Sequence, residues 1–211
     1  ALPLEQIMIA IIDYGMGNLR SVQKGFEKVG HEAIVTSDPA EVRAAQKVVL
    51  PGVGAFEDAI AELRHRELIE PVLDAINSGK PFLGICLGLQ LLFETSYENG
   101  RHEGLGVLAG DVVQFELPKK YSIPHMGWNE VTQTSAHPMW SGIADDSRFY
   151  FVHSYYVAPE NADEIVGEST YPETFTAALA APNVFAVQFH PEKSQTSGLQ
   201  LYKNFLEWDG S

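Results

Sequence analysis

The sequence predicts an α/β fold: a mostly parallel central sheet flanked by helices, with an antiparallel extension in the second half. In the first half, short apolar runs rich in β-branched residues alternate with longer stretches of helical spacing. Those runs are apolar at every position instead of every second one, which marks strands buried on both faces. After Gly100 the texture changes to strand segments with polar alternation separated by turn residues, as expected for antiparallel pairing.

In chain order, "IMIAII" (7–12) is the first strand, and Asn18 to Val29 follows with helical spacing, Asn18 as cap and Gly30 as stop. "EAIVT" (32–36) and "KVVL" (47–50) repeat the strand signal, with helical segments over Ala40 to Ala45 between them and Ala55 to Asn77 after them. "PFLGI" (81–85) reads as another buried strand and "LGLQLLFET" as the helix that follows. Then come the strand segments "GDVVQFE" (110–116), "HMGWNEV" (125–131), "RFYFVHSYYV" (148–157), "TFTAALA" (174–180) and "VFAVQFH" (184–190), and a closing amphipathic helix near Ser197 to Trp208. These strands are expected to extend the same sheet. No repeat, low-complexity tract or long linker divides the chain, so residues 1–211 are expected to form a single domain.

Charge narrows the function. With 28 acidic against 14 basic residues and a net charge of -14, the surface repels phosphate backbones and anionic lipid, so no nucleic acid and no membrane is expected as a partner. No apolar run approaches the ~20 residues that a bilayer crossing needs. One cysteine cannot form an intramolecular disulfide, and the opening residues lack a cationic stretch followed by an apolar one, so a cytoplasmic location is expected. No Cys/His cluster has metal-ligand spacing, and neither a metal nor a cofactor is expected.

The single cysteine lies in "GICLGLQLLF" (84–93), at the carboxyl end of a predicted strand, where ligands bind in open parallel sheets. Gly84 and Gly88 bracket Cys86, as a strained strand-to-helix turn carrying a nucleophile requires. A helix N-terminus favours thiolate over thiol, and the Leu87 N–H is an oxyanion donor candidate. Taken alone, G-x-C-x-G serves ordinary packing as well as catalysis. In "FAVQFHPEKS" (185–194) a strand ends at His190, Pro191 breaks it and Glu192 follows, so a carboxylate could turn back to orient the imidazole. An isolated H-P-E is otherwise a solvent-facing turn. "LPGVGAF" (50–56) places two glycines directly after a buried strand and lacks the Lys and Ser/Thr of a phosphate loop, so it reads as a turn or an oxyanion wall.

Together, G-x-C-x-G-x-Q, P-G-x-G and H-P-E at three strand ends resemble the class I (triad) glutamine amidotransferases, over nearly the whole chain. Within that family, "IDYGMGN" (12–18), "PGVGAF", "GICLGLQLLFE", "PHMGWN" (124–129), "FVHSYY" (151–156) and "FHPEKS" (189–194) resemble, in order, the glutaminase subunits of imidazole glycerol phosphate synthases. Relatives serving anthranilate or aminodeoxychorismate synthesis typically carry histidine where this chain has Leu89. The resemblance implies Cys86 as nucleophile, His190 as base and acid, and Glu192 as the orienting carboxylate. It implies Val53 and Leu87 at the oxyanion, and Gly52, Gln90, Glu98 and Ser154 near the substrate glutamine. It further implies a partner surface at Asn18, Met126, Trp128 and Lys193 for a (β/α)8-barrel cyclase subunit in a heterodimer. In the family, the P-G-x-G backbone can keep its N–H turned away from the oxyanion until the partner is engaged. Three rivals remain open: a different synthase partner, a γ-glutamyl hydrolase or cysteine peptidase of related fold, and a non-enzymatic binding module with a flavodoxin-like sheet.

Overall fold

The computed structural model describes residues 2–211. Its first half runs β1 (Ile9–Ile12), α1 (Leu19–Lys28), β2 (Ile34–Thr36), α2 (Pro39–Ala44), β3 (Lys47–Leu50), α3 (Phe56–His65), α4 (Ile69–Asn77), β4 (Phe82–Ile85) and α5 (Leu87–Leu91). Its second half adds β5 (Phe93–Ser96), β6 (His102–Glu103), β7 (Leu108–Gln114), β8 (His125–Gln133), β9 (Ser147–His153), β10 (Tyr155–Pro159), β11 (Ile165–Tyr171), β12 (Glu173–Ala181), β13 (Val184–Val187) and α6 (Gln195–Glu207).

The main sheet has the order β2-β1-β3-β4-β13-β12-β11-β8-β9. Strands β2, β1, β3, β4 and β13 are mutually parallel, and β12, β11, β8 and β9 continue them antiparallel. Side chains alternate across this sheet because successive Cβ atoms of a strand point to opposite faces. Ile9, Ile11, Val49, Leu83, Ile85, Phe185 and Val187 enter a core shared with α1 and α6. Ala10, Ile12, Val48, Leu50, Phe82, Val184 and Ala186 enter the other, beneath α2 to α5. Both faces are covered, which is why these strands carry no polar alternation.

Lys47, on β3, is buried. Its Nζ donates to the carbonyls of Phe205, Leu206 and Trp208 at the end of α6, so a charge inside a core closes a helix that lacks basic residues in its last turn.

Four expectations need correction. The stretch from Ala55 to Asn77 is two helices, interrupted at Glu67 with φ 58°, where the Leu68 N–H bonds back to the Leu63 carbonyl. The reversal lets Leu63 and Leu68 both reach the core. The helix in "LGLQLLFET" ends at Leu91, and Phe93–Ser96 becomes a strand that pairs with β6 and β7. "RFYFVHSYYV" splits at Ser154, β9 staying in the main sheet while β10 joins a second sheet of order β10-β7-β5-β6. The antiparallel half therefore feeds two sheets, and β7 and β10 do not extend the first. Finally, β13 ends at Val187, and His190 lies beyond it, paired singly with Tyr150. Strand β11 carries mixed polarity and Gly167, and its sequence gave no clear strand signal.

The function-bearing consequence of the topology is adjacency. The neighbouring parallel strands β3, β4 and β13 end side by side, at Leu50, Ile85 and Val187. The segments following them are the P-G-V-G loop, Cys86 and the run Gln188–Glu192. Among the described residues, no helix is long and apolar enough to cross a membrane.

Candidate active site

Cys86 has φ 56° and ψ -111°, a left-handed backbone that costs a non-glycine residue of order 1–3 kcal/mol. The surroundings over-determine it. Its N–H donates to the Val187 carbonyl at 2.8 Å, and its own carbonyl accepts the Leu89 N–H at 3.0 Å. A Cβ on Gly88 would overlap the Leu50 carbonyl, and one on Gly84 would lie 3.2 Å from both the Ala186 Cβ and the Gly88 oxygen. Close approach of β3 to α5 thus requires glycine at 88, and the packing of β4 against β13 and α5 leaves little room at 84. The turn presents Cys86 to a cleft of about 270 Å³, also lined by Val53, Leu87, Gln90, Glu98 and Ser154.

His190 and Glu192 have side chains only 2 % exposed, with Nδ1 and Oε1 2.7 Å apart. Burial acts to lower the His190 pKa, but the charge of Cys86, together with the hydrogen bond and charge of Glu192, raises it to about 10. The remaining ring nitrogen, Nε2, is buried and has no hydrogen-bond partner. Glu192 is held from behind by the Tyr202 hydroxyl, which donates to Oε2 at 3.4 Å. Burial, and then the charge of Glu192, keep that phenol protonated. The His190 backbone is fixed as well: its N–H donates to the Tyr150 carbonyl, and its carbonyl accepts from the Ser194 hydroxyl, which in turn accepts the Tyr150 N–H. Imidazole and carboxylate thus stand in series, with the charge of Cys86 acting on the ring.

The expected oxyanion pair is brought together but not free. The Leu87 N–H donates to the Gly52 carbonyl at 3.2 Å. In a planar trans peptide the N–H points opposite the C=O. The Gly52–Val53 unit therefore turns its oxygen toward the elbow and the Val53 N–H away from it. The Tyr14 hydroxyl, donating to the Pro51 carbonyl at 2.6 Å, fills the space a Gly52 side chain would need.

Gln90 Nε2 donates to the Tyr155 carbonyl and to Gln188 Oε1, both at 3.2 Å. One Glu98 oxygen accepts the Phe56 N–H at 2.6 Å, at the start of α3. Ser154 lies at the break between β9 and β10. None of the four residues expected at a partner surface lines this cleft. Met126 and Trp128, on β8, are 61 % and 45 % exposed. Lys193 Nζ lies 5.8 Å from the centre of the Tyr150 ring, against which Trp128 also packs. Asn18, exposed at the start of α1, follows Gly17, where an added Cβ would lie 3.3 Å from the Gly52 Cα. It makes no side-chain cap, and the Val22 N–H takes its backbone carbonyl instead.

Sequence reasoning missed Gln188, whose Nε2 lies 3.7 Å from the Cys86 sulfur while the residue is fully buried. The available signal was a lone amide inside the apolar run "FAVQF". His125 and His153 form a linked pair beside the cleft residue Tyr155. They bond to each other, Nδ1 to Nε2, at 3.0 Å, and His153 Nδ1 continues to the Tyr155 carbonyl at 2.9 Å. Among the described residues, no group of three or more His, Cys, Asp or Glu is placed to hold a metal ion.

A family model described as glutamine amidotransferase class-I matches residues 10–208. The imidazole glycerol phosphate synthase subunit HisH of Rhodopirellula baltica is 56 % identical over 198 residues, covering 94 % of this chain and 96 % of that one. The subunit of the same name from Aromatoleum aromaticum is 56 % identical over 209 residues, covering 95 % and 98 %. Among solved structures, PurLQS from Thermotoga maritima aligns with a TM-score of 0.75 at 18 % identity, covering 95 % of this chain and 98 % of that chain. A second, described as a glutamine amidotransferase, gives 0.74 at 17 %, covering 96 % and 99 %. At those identities the structures speak for the fold alone. The family model and the curated relatives, each covering nearly the whole chain, speak for descent, and the chain belongs to the class-I glutamine amidotransferases.

Proposed function

We propose that this chain is the glutaminase subunit of an imidazole glycerol phosphate synthase, hydrolysing glutamine to glutamate and ammonia and passing the ammonia to a cyclase subunit in histidine biosynthesis. The observation that carries the chemistry is the buried Glu192–His190 pair standing behind Cys86 on its strained turn. In this reading residues 1–211 act as one glutamine amidotransferase domain in the cytoplasm.

The Cys86 thiolate attacks the side-chain amide carbon of glutamine, and charge moves to the amide oxygen. As the tetrahedral intermediate collapses, the carbon–nitrogen bond breaks and the His190 imidazolium gives its proton to the departing nitrogen, releasing ammonia. The thioester left on sulfur is then attacked by water, which loses a proton to His190, and glutamate departs as the thiolate is restored. Glu192 fixes the imidazole so that Nε2 does the proton work, and its charge steadies the imidazolium. Gln90, Glu98 and Ser154 hold the glutamine.

The oxyanion needs donors, and the resting backbone withholds them. Rotation of the Gly52–Val53 peptide would release the Leu87 N–H from the Gly52 carbonyl and turn the Val53 N–H inward, giving two donors at once. Coupling that rotation to partner docking prevents glutamine from being spent when no acceptor is bound. The exposed apolar side chains Val53, Ile123, Met126 and Trp128 support a docking face beside the cleft mouth. Ammonia released into bulk water would be protonated and lose its nucleophilicity, so a partner sealed on this face is chemically useful. The acceptor, N′-phosphoribulosyl-formimino-aminoimidazole-carboxamide ribonucleotide, would bind the barrel subunit, since this acidic chain offers no phosphate loop.

The test compares glutamate release by the chain alone, with the purified barrel subunit, and with that subunit plus its nucleotide. Release should rise steeply only in the last case. A glutamine-analogue electrophile should label the wild-type chain and fail to label Cys86→Ser. Trp128→Ala should weaken the complex about tenfold or more, as truncating a buried aromatic anchor does. Preference for γ-glutamyl peptides over glutamine, or turnover indifferent to the partner, would overturn the assignment.

A further inference from the structure

We infer that Gln188 is a built-in amide donor to the nucleophilic sulfur, its orientation forced by a hydrogen-bond chain that begins at the Tyr155 carbonyl, to which the paired histidines on β8 and β9 also donate. The inference deepens the proposed reaction and rests on Cys86 being its nucleophile.

Amide oxygen and nitrogen are alike in shape, so the assignment follows from the neighbours that have no choice. The Tyr155 carbonyl can only accept. Gln90 approaches it at 3.2 Å and must present its NH₂ group, not its oxygen. The second hydrogen of that NH₂ lies toward the Gln188 amide, also at 3.2 Å, so Gln188 must answer with Oε1. Its own NH₂ is thereby turned to the Cys86 sulfur, 3.7 Å away. Flipping Gln90 would set oxygen against oxygen, and flipping Gln188 would set one NH₂ group against the other.

The same logic extends outward. His153 Nδ1 must carry a hydrogen to bond the Tyr155 carbonyl, leaving Nε2 to accept from His125 Nδ1. The remaining nitrogen, His125 Nε2, then accepts from Asn129 Nδ2 at 3.3 Å. Every member is directed: donation from the histidines ends at the Tyr155 carbonyl, and donation from Gln90 through Gln188 ends at sulfur. Gln188 is fully buried, so its NH₂ has no water to compete with the sulfur. An N–H aimed at sulfur stabilises its anionic, acceptor form more than its neutral one. The amide stays in place while sulfur cycles between thiolate and thioester.

The test is the pH dependence of Cys86 alkylation by iodoacetamide, without glutamine, in wild type and Gln188→Met, which keeps the length and removes the donor. The titratable groups acting on the sulfur are Tyr14, beyond β1, and His190 with its partner Glu192, beyond β13, all unchanged in the variant. The profile should move to higher pH by about one unit, equivalent to a roughly tenfold loss of thiolate near neutrality. In the complex, kcat should fall by about tenfold with the KM for glutamine changed less. A superimposable alkylation profile in a folded variant that still binds the barrel subunit would overturn the inference. Should Gln188→Met fail to fold, the side-chain amide resonances of ¹⁵N-glutamine-labelled wild type decide. One must move across the pH range where alkylation accelerates and stay fixed in Cys86→Ala, and its failure to do so is equally fatal. Absence of glutaminase turnover in the wild-type complex would refute the proposed reaction and leave the sulfur–amide contact standing.

Discussion

Replacing Glu192 by glutamine keeps the side chain's volume in a place that is 2 % exposed and removes its charge. Two effects follow. The carboxylate at 2.7 Å from Nδ1 is one of the two groups that carry His190 to about 10 against the pull of burial, the other being Cys86. Losing it costs the imidazolium on the order of one to two pK units, or about 10- to 100-fold in any step that depends on that cation. A glutamine NH₂ facing Nδ1 would also drive the ring into the tautomer with hydrogen on Nε2, the nitrogen that must accept a proton, and a comparable exchange in a serine triad costs about 10⁴ in kcat. The expected loss in the activated complex is therefore about 10² to 10⁴ in kcat, with the KM for glutamine within about threefold, because Glu192 does not line the cleft. The assay is steady-state glutamate release with partner and nucleotide, beside thermal melts of the free chain as a function of pH. A histidine whose folded pKa lies above its unfolded value stabilises the fold fully below about 6.5, and that stability is lost as pH rises toward 10. The decline across that window should shrink in Glu192→Gln. Loss of less than about threefold in kcat, with the melt profile unchanged, would refute the view that the carboxylate acts through the imidazole.

Two further outcomes are expected. Gly88→Ala forces a methyl into the Leu50 carbonyl and should destabilise the chain by about 1–3 kcal/mol, read as a lower midpoint in urea, with alkylation of Cys86 altered because the turn must move; a variant as stable as wild type would show that the close approach is not needed. His125 and His153 are held neutral chiefly by burial, which takes them down to about 4 and about 3. The unfolded chain then binds more protons than the folded one below about 6.5, so stability should fall as pH drops from there toward 4. His125→Gln should flatten that slope in pH-dependent urea titrations, and an unaltered slope would place the acid sensitivity elsewhere.

Legibility in the sequence followed the range of the interaction. Strands β1, β3 and β4 were readable because burial on both faces makes every residue but Lys47 apolar, a signal contained in four or five consecutive letters. Cys86, with its two glycines, was readable because the strain and crowding of the turn are local demands on residue type. The break at Glu67 and the conversion of Phe93–Ser96 to a strand were not, because they depend on partners distant along the chain, the core beneath Leu68 and the edge of β7. Ser154 looked like one polar residue in a long strand, and only the existence of a second sheet makes it a switch point lining the cleft.

The sequence by itself determined the residues capable of the chemistry and the strand ends that carry them, because backbone conformation and burial at those ends tolerate few alternatives. Tertiary structure alone decided that β3, β4 and β13 lie side by side, bringing residues more than a hundred positions apart within reach of one sulfur. It also decided that the Leu87 N–H is held by the Gly52 carbonyl and that Gln188 turns its NH₂ to Cys86. Those facts concern the direction of peptide and amide dipoles, which no side-chain identity encodes and which only neighbours in space can fix.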